Sequence, residues 1–198
     1  LPDRVVPMLP AALSNELCSL KPGEGRPCLA VHIRIDGAGR IRRHEFVRGM
    51  MHSAARLTYR EVQDAGEGGG HGIARTTAGP TIAALFGAFR ALQAARRERG
   101  AIDLELDEHH IVMAADGEVE RVELRARYDS HRVIEEFMVT ANVCAAEVLE
   151  AARVPCMYRV HEDPPADRLA ALRQYLAVLG YRLAGGQAAR PRHFAQLL

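Results

Sequence analysis

The sequence predicts an α+β fold in which antiparallel β-hairpins pack against several α-helices. Pairs of segments with alternating apolar and polar residues, joined by short turns, indicate the hairpins. Longer segments with apolar residues at helical spacing indicate amphipathic helices. No internal repeat is visible in the 198 residues, a length that suits one large domain or two small ones.

The first part of the chain predicts a short helix followed by a hairpin. The helix is expected around Ala11–Leu17, with Ser14 and Asn15 as local caps. Residues 29–35 then alternate, which indicates a half-buried strand with Val31, Ile33 and Ile35 on one face and His32 and Arg34 on the other. A turn at residues 36–39 leads into a second strand near Ile41–Met51.

The next segments predict two helices separated by a glycine-rich loop. Ala55–Ala65 is typical of a short helix and carries Tyr59. The loop at residues 66–80 lacks the Lys-Ser/Thr pair of a phosphate-binding loop, so we interpret it as a flexible connection. Pro80–Arg99 predicts a helix with one apolar stripe, formed by Ile82, Leu85, Phe86, Phe89 and Leu92. Its charged end matches the helix dipole and is typical of a solvated terminus.

The second half predicts another hairpin, a short strand and three further helices. Strands at Ile111–Met113 and Val119–Leu124 flank the turn dipeptide Asp116-Gly117. The longest helix is expected at Asp129–Arg153, with its buried side formed by Val133, Ile134, Phe137, Met138, Ala141, Cys144, Ala145 and Val148. A short strand at Met157–Val160 precedes a helix at Ala166–Gly180, whose inward side is expected to hold Leu169, Leu172, Leu176 and Leu179. A last helix is expected near Pro191, after a loose segment.

Composition restricts the classes of function. The net charge of +1 gives no excess of basic residues for gripping nucleic acid over the whole surface, although a local basic channel stays possible. No apolar run reaches the roughly 20 residues that cross a bilayer, so we expect no membrane partner. The cysteines Cys18, Cys28, Cys144 and Cys156 form no CxxC pair, which disfavours structural zinc and suits a reducing cytoplasm.

The densest polar cluster lies at residues 129–136, with His161, Glu162 and Asp163 further on. His131 and Glu135 are four residues apart and share one helix face, where they could bind a metal or act as acid and base. Helix capping by Asp129 with an exposed charged face explains the same residues. From the residues alone, Tyr59 is typical of a half-buried packing side chain.

Four stretches, in order, resemble the ribonuclease R / ribonuclease II (RNB) family of 3′–5′ exoribonucleases. They are residues 6–22, residues 53–59 (SAARLTY), residues 129–142 (DSHRVIEEFMVTAN) and residues 158–162 (YRVHE). The resemblance covers nearly the whole chain. It implies that residues 1–198 are the middle portion of a single RNB catalytic domain.

The resemblance implies a processive hydrolase that removes nucleotides from the 3′ end of single-stranded RNA and releases 5′-monophosphates. It also implies dependence on magnesium and no preference for DNA. Tyr59 matches the family tyrosine that contacts the sugar near the scissile bond. Glu135 matches the glutamate that hydrogen-bonds the terminal ribose, so the polar helix face is now interpreted as ribose recognition and not as a metal site.

Several family features are not matched. Leu104 stands where many relatives carry a base-clamping phenylalanine. The metal-binding aspartates, an arginine-rich loop with a further glutamate, and the cold-shock and S1 barrels have no counterpart in these residues. We therefore expect no tight magnesium site and no RNA degradation by this chain alone, and we expect exposed apolar surface with a tendency to self-associate.

Two other functions stay open at this point. The same scaffold could serve as a non-catalytic RNA-binding or regulatory domain. Alternatively, His131, Glu135 and His161 could form the centre of an unrelated metal hydrolase.

Overall fold

A computed structural model of the chain describes residues 4–69, 78–103, 106–184 and 190–197. The predicted α+β class is confirmed, because antiparallel hairpins and helices alternate along the chain. After a π-helical segment, Ala12–Leu17, the elements are β1 (Gly25–Ile35), β2 (Ile41–His52), α1 (Tyr59–Gly66), α2 (Gly79–Glu98), β3 (His109–Met113), β4 (Val119–Leu124), α3 (Asp129–Ala151), α4 (Ala166–Val178) and α5 (Pro191–Ala195).

The π-helical segment confirms the short helix that the sequence predicts, but not its caps. No side chain caps its start. The hydroxyl of Ser14 instead donates to the neighbouring amide oxygen of Asn15 at 2.7 Å. The two side chains therefore hydrogen-bond to each other and do not cap the first turn of the helix.

Strands β1 and β2 form the first hairpin in antiparallel register, with Val31 opposite Phe46. The predicted alternation is confirmed, because Val31, Ile33 and Ile35 are half-buried while His32 and Arg34 are exposed. The hairpin is longer than predicted, since its pairing already begins at residues 25–28, which lie opposite residues 49–52.

Asp36 organises the turn of this hairpin. Its Oδ1 accepts hydrogen bonds from the backbone N–H groups of Ala38 at 2.9 Å and Arg40 at 3.0 Å. Its Oδ2 accepts from the Arg42 guanidinium at 2.6 Å. The Arg40 N–H, followed by these other donors, holds the pKa of Asp36 below its ordinary value.

Strands β3 and β4 form the second hairpin, with Ile111 opposite Val122. Asp116 Oδ1 accepts the N–H of Glu118 at 3.1 Å, which closes the turn that Asp116-Gly117 predicts. Every residue of β4 is exposed, so this hairpin adds little to the core.

The core lies where α1, α2 and α3 meet. The predicted apolar stripe of α2 is confirmed, since Leu85 is half-buried and its other members are buried. The central cluster consists of Ile82, Phe86, Phe89 and Val133. Gly66 lets α1 approach α2 closely, because a Cβ at Gly66 would lie 2.4 Å from the ring of Phe86.

Helix α3 buries a face that matches the predicted one only in part, with Phe137, Ala141 and Ala145 half-buried. Val133 and Cys144 are buried as expected, but Ile134, Met138 and Val148 are 42%, 60% and 42% exposed. The polar residues Ser130, Glu136 and Thr140 are buried instead. The inward face is set by where α1 and α2 lie. Ser130 bonds to α1 and Glu136 to α2, whereas the Thr140 hydroxyl donates to the Glu136 carbonyl oxygen within α3. The helix ends at Ala151, shortly before Arg153 takes a positive φ of 54°.

The predicted strand at Met157–Val160 is wrong. No strand lies between residues 152 and 165, and Met157 and Val160 are 99% and 79% exposed. No neighbouring strand in the described part of the chain pairs with this segment. Without a partner, its backbone N–H and C=O groups cannot form the hydrogen bonds of a sheet.

Helix α4 follows the prediction in extent but buries less than expected. Leu169 is buried, Leu172 and Leu176 are half-buried, and Leu179 is 53% exposed. The helix near Pro191 is confirmed as α5. Among the described residues, none of the helices has the length and apolar content needed to cross a membrane.

All four cysteines are free thiols. Cys144 is fully buried on α3, as its helical position predicts. Burial, with a smaller contribution from Glu147, raises the pKa of the Cys144 thiol above its ordinary value. A buried thiol of raised pKa is a packing group and not a nucleophile.

Candidate nucleic-acid interface

Tyr59 is the first residue of α1, and a capping box fixes its backbone. Thr58 Oγ1 accepts the N–H of Glu61 at 3.3 Å, and the Glu61 carboxylate accepts the N–H of Thr58 at 2.7 Å. The helix therefore begins at Tyr59 and not at Ala55, where periodicity places it. The tyrosine side chain is 44% exposed, so its ring has one free side.

Ser130 joins the first turn of α3 to α1. Its hydroxyl donates to the carbonyl oxygen of Tyr59 at 2.7 Å, and its N–H donates to Gln63 Oε1 at 3.0 Å. Ser130 is 1% exposed, so these bonds form without competition from water. The backbone of Tyr59 is consequently fixed from a second helix.

Three aromatic rings stack beside this junction. The ring centroids of Tyr59 and His131 are 4.0 Å apart with an interplanar angle of 21°. His131 also stacks with Tyr128, at 5.6 Å and 15°. The backbone N–H of Tyr128 donates to Nδ1 of His131 at 3.1 Å, which fixes the imidazole and leaves Nε2 to carry the proton of the neutral ring.

The adjacent carboxylates Glu135 and Glu136 have opposite environments. Glu135 lies one helical turn after His131, is exposed, and accepts from Arg127 Nη2 at 3.0 Å. Glu136 is 7% exposed and accepts from Arg96 Nη1 at 2.7 Å. Glu135 is thus available to a ligand, whereas Glu136 binds α3 to α2.

A polar cavity of about 600 Å³ opens beside His131 and Glu135. It is lined by the region before β3, the end of β4 and the first turns of α3. Its basic residues Arg125, Arg127 and Arg132 each face a carboxylate, from Glu108 at 3.5 Å, Glu135 at 3.0 Å and Asp103 at 2.6 Å respectively. The cavity therefore offers both hydrogen-bond donors for phosphate and acceptors for hydroxyl groups.

The described residues do not fit a magnesium ion. No group of three His, Cys, Asp or Glu side chains within the described ranges could hold a metal. In particular, His161 does not join His131 and Glu135 in such a group, and Nδ1 of His131 is already occupied by a backbone donor. The metal-hydrolase interpretation of these three residues thus has no geometric support.

Sequence reasoning singled out Tyr59 and Glu135 as candidates but did not predict the side chains that lie between them in the structure. His131 was considered only as a metal ligand or acid–base group, yet it contacts the Tyr59 ring. The spacing of Tyr128 and His131 is a capping-box spacing, which could have indicated the hydrogen bond from the Tyr128 N–H to His131 but not the contact with Tyr59. Arg127 had no sequence signal. Leu104 lies outside the described residues.

Comparisons with known proteins agree along the whole chain. The RNB domain model matches residues 1–196. The chain is 37% identical to ribonuclease R of Escherichia coli K12 over 200 residues, which is 100% of this chain and 24% of that protein. It is 35% identical to ribonuclease R of Thermotoga maritima, over 99% of this chain and 28% of the relative. The chain therefore spans about a quarter of the length of these relatives.

Solved structures give the same result. The apo form of Mycoplasma genitalium RNase R matches with a TM-score of 0.91 and 29% identity, over 98% of this chain and 30% of that one. The same protein in complex with ribose-methylated single-stranded RNA matches equally well. The fold of the described residues is thus that of the matching part of RNase R. The chain belongs to the RNB domain family.

Proposed function

We propose that residues 1–198 are the middle portion of the catalytic domain of a 3′–5′ exoribonuclease that hydrolyses single-stranded RNA to 5′-monophosphates. The similarity to ribonuclease R over the full chain carries this proposal. The full-length protein that contains this chain is called the parent protein below. Its segments outside these residues complete the domain.

The proposed roles of Tyr59 and Glu135 follow from their chemistry and placement. A phenolic hydroxyl can donate and accept, so Tyr59 suits the ribose 2′-OH, the group that distinguishes RNA from DNA. A carboxylate accepts from two hydroxyls at once, so Glu135 suits the terminal ribose. His131 contacts the Tyr59 ring and lies one turn before Glu135, and this proximity supports a common site for the two proposed groups.

The proposed ligand is single-stranded RNA with no preference for DNA. Relatives support RNA as the ligand, because Mycoplasma genitalium RNase R has been solved with single-stranded and with double-stranded RNA. A reducing cytoplasm suits the free cysteines and is the proposed compartment. Magnesium is proposed as the cofactor of the parent protein, with ligands from outside the residues described, and no step of the reaction is assigned to the carboxylates of this chain.

Incubation of the 198-residue chain with 5′-labelled single-stranded RNA and magnesium tests the proposal. We expect no shortening by the chain alone, and 3′–5′ shortening to 5′-monophosphates by the parent protein. Sustained, magnesium-dependent shortening by the chain alone would contradict the placement of the metal ligands. RNA binding without shortening by the parent protein would favour a non-catalytic RNA-binding domain.

Substitution of Tyr59 tests the ribose contact. In the parent protein, Tyr59→Phe should lower the ratio of cleavage rates on ribose and 2′-deoxyribose 3′ ends by about three- to tenfold, the effect of one hydrogen bond. Tyr175→Phe, at an exposed tyrosine on α4, is the matched control and should leave the ratio unchanged. An unchanged ratio in Tyr59→Phe would remove Tyr59 from ribose recognition.

A further inference from the structure

His131 connects the Tyr59 side chain to the start of α3. Its ring lies against the ring of Tyr59, and its Nδ1 accepts a backbone N–H. We propose that His131 is a positioning residue that fixes the Tyr59 ring for recognition of the ribose 2′-OH. This inference rests on the proposed function, because it assumes that Tyr59 reads the ribose.

The Tyr59 ring needs such support. The capping box and Ser130 fix the backbone of Tyr59 but not its side-chain torsions. With 44% of the residue exposed, the surrounding core does not enclose the ring. The His131 face, at 4.0 Å and 21°, is the stacked aromatic contact that defines the plane of the ring and hence the direction of its hydroxyl.

His131 can act in this way because its own orientation is fixed. The Tyr128 N–H donates to Nδ1 at 3.1 Å, so rotation of the imidazole would break a hydrogen bond at the start of α3. The same turn holds Ser130, which is bonded to the carbonyl of Tyr59. Consecutive residues of α3 thus fix the backbone and the side chain of one tyrosine.

The helix also connects this support to Glu135. His131 and Glu135 are separated by one turn, share a face of α3 and line the same cavity. Displacement of the imidazole would therefore move the Tyr59 hydroxyl relative to the Glu135 carboxylate. Recognition of a ribose by two groups depends on that relative position.

Two substitutions separate the contribution of the His131 ring from that of its hydrogen-bond acceptor. His131→Asn keeps an oxygen that can accept the Tyr128 N–H but has no ring to stack on Tyr59. His131→Phe keeps a ring of similar size but has no acceptor. His32→Asn, at an exposed histidine of β1, is the matched control.

The experiment uses the parent protein with magnesium and two RNAs of one sequence, ending in ribose or in 2′-deoxyribose nucleotides. The ribose preference is the ratio of their single-turnover cleavage rates. We expect His131→Asn to lower this ratio about three- to tenfold, like Tyr59→Phe, and His131→Phe to lower it by less. The double variant Tyr59→Phe/His131→Asn should have the same ratio as Tyr59→Phe alone.

A structural role alone would lower both rates and leave their ratio unchanged. The inference is therefore overturned if His131→Asn, shown to be folded by thermal unfolding, keeps the wild-type ratio while Tyr59→Phe loses it. If His131→Asn does not fold, His131→Gln, which also keeps an acceptor and has no ring, supplies the same test. A wild-type ratio in Tyr59→Phe would overturn the ribose role of Tyr59 and this inference together, whereas the first result leaves the proposed function intact.

Discussion

At the scale of single residues, neighbours in the sequence have separate tasks. Glu135 and Glu136 differ by one position, which is about 100° around a helix, so one faces the cavity and the other the interior. The buried carboxylate of Glu136 lies against Arg96, and its neighbour Glu135 is exposed beside Arg127. A pattern of two glutamates cannot reveal this division, because it depends on which side α2 occupies.

Removal of the Arg96 guanidinium should destabilise the fold. Arg96→Met leaves the Glu136 carboxylate buried without its charged donor, so we expect the free energy of unfolding to fall by about 3 kcal/mol. Urea denaturation measures the change. Arg97→Met, at the exposed neighbour, is the control and should change stability by less than about 0.5 kcal/mol. Equal effects of both substitutions would show that the buried pair is not responsible.

At the scale of elements, the site depends on how α1 is seated. This helix has eight residues and no fully buried side chain, so its position comes from contacts with α2 and α3. Ser130 and Gln63 connect it to α3, and Gly66 lets it approach Phe86 of α2. The position of Tyr59, at the start of α1, follows from these contacts.

A side chain at Gly66 should disturb the seating of α1. The Cβ of Gly66→Ala would lie 2.4 Å from the Phe86 ring, which is in the core and has no room to move away. We expect a loss of about 1–3 kcal/mol in stability, typical of overpacking. Gly49→Ala is the control, because a Cβ there meets nothing within 4 Å. Thermal unfolding of both variants measures the effect, and an unchanged stability of Gly66→Ala would refute the contact.

At the scale of the whole molecule, the chain leaves much of its surface uncovered. Its accessible surface is 15670 Å², against roughly 9,200 Å² for a compact monomer of its mass. One apolar groove of about 630 Å³ lies between β1, α2 and α3, with Ile33, Phe137 and Met138 among its lining. Apolar surface of this extent is a site of association.

The isolated chain should therefore self-associate. Sedimentation velocity over a range of concentrations should show a sedimentation coefficient that rises with concentration. Met138→Gln, which makes the groove more polar, should reduce the association several-fold. Met8→Gln, at a fully exposed methionine outside the groove, is the control. A single monomeric species at every concentration would contradict this prediction.

The sequence by itself determined the type and order of most elements and the identity of the family. Periodicity suffices for α2 and for both hairpins, because their apolar residues repeat at spacings set by backbone geometry alone. The resemblance singled out Tyr59 and Glu135 because the order of the motifs can be read from the sequence without a structure. The local pattern also predicted a strand at Met157–Val160, which was wrong because a strand needs a pairing partner and local pattern supplies none.

Only the tertiary structure decided which face of α3 is buried and which side chains meet at the site. The contact of Tyr59 with His131 joins residues 72 positions apart, and the bond from Ser130 to Tyr59 spans 71. Such contacts depend on how α1 and α3 dock, which is the sum of many small packing terms over the core. Local sequence determines where a helix begins, but the orientation of its faces is set by the neighbours that cover them.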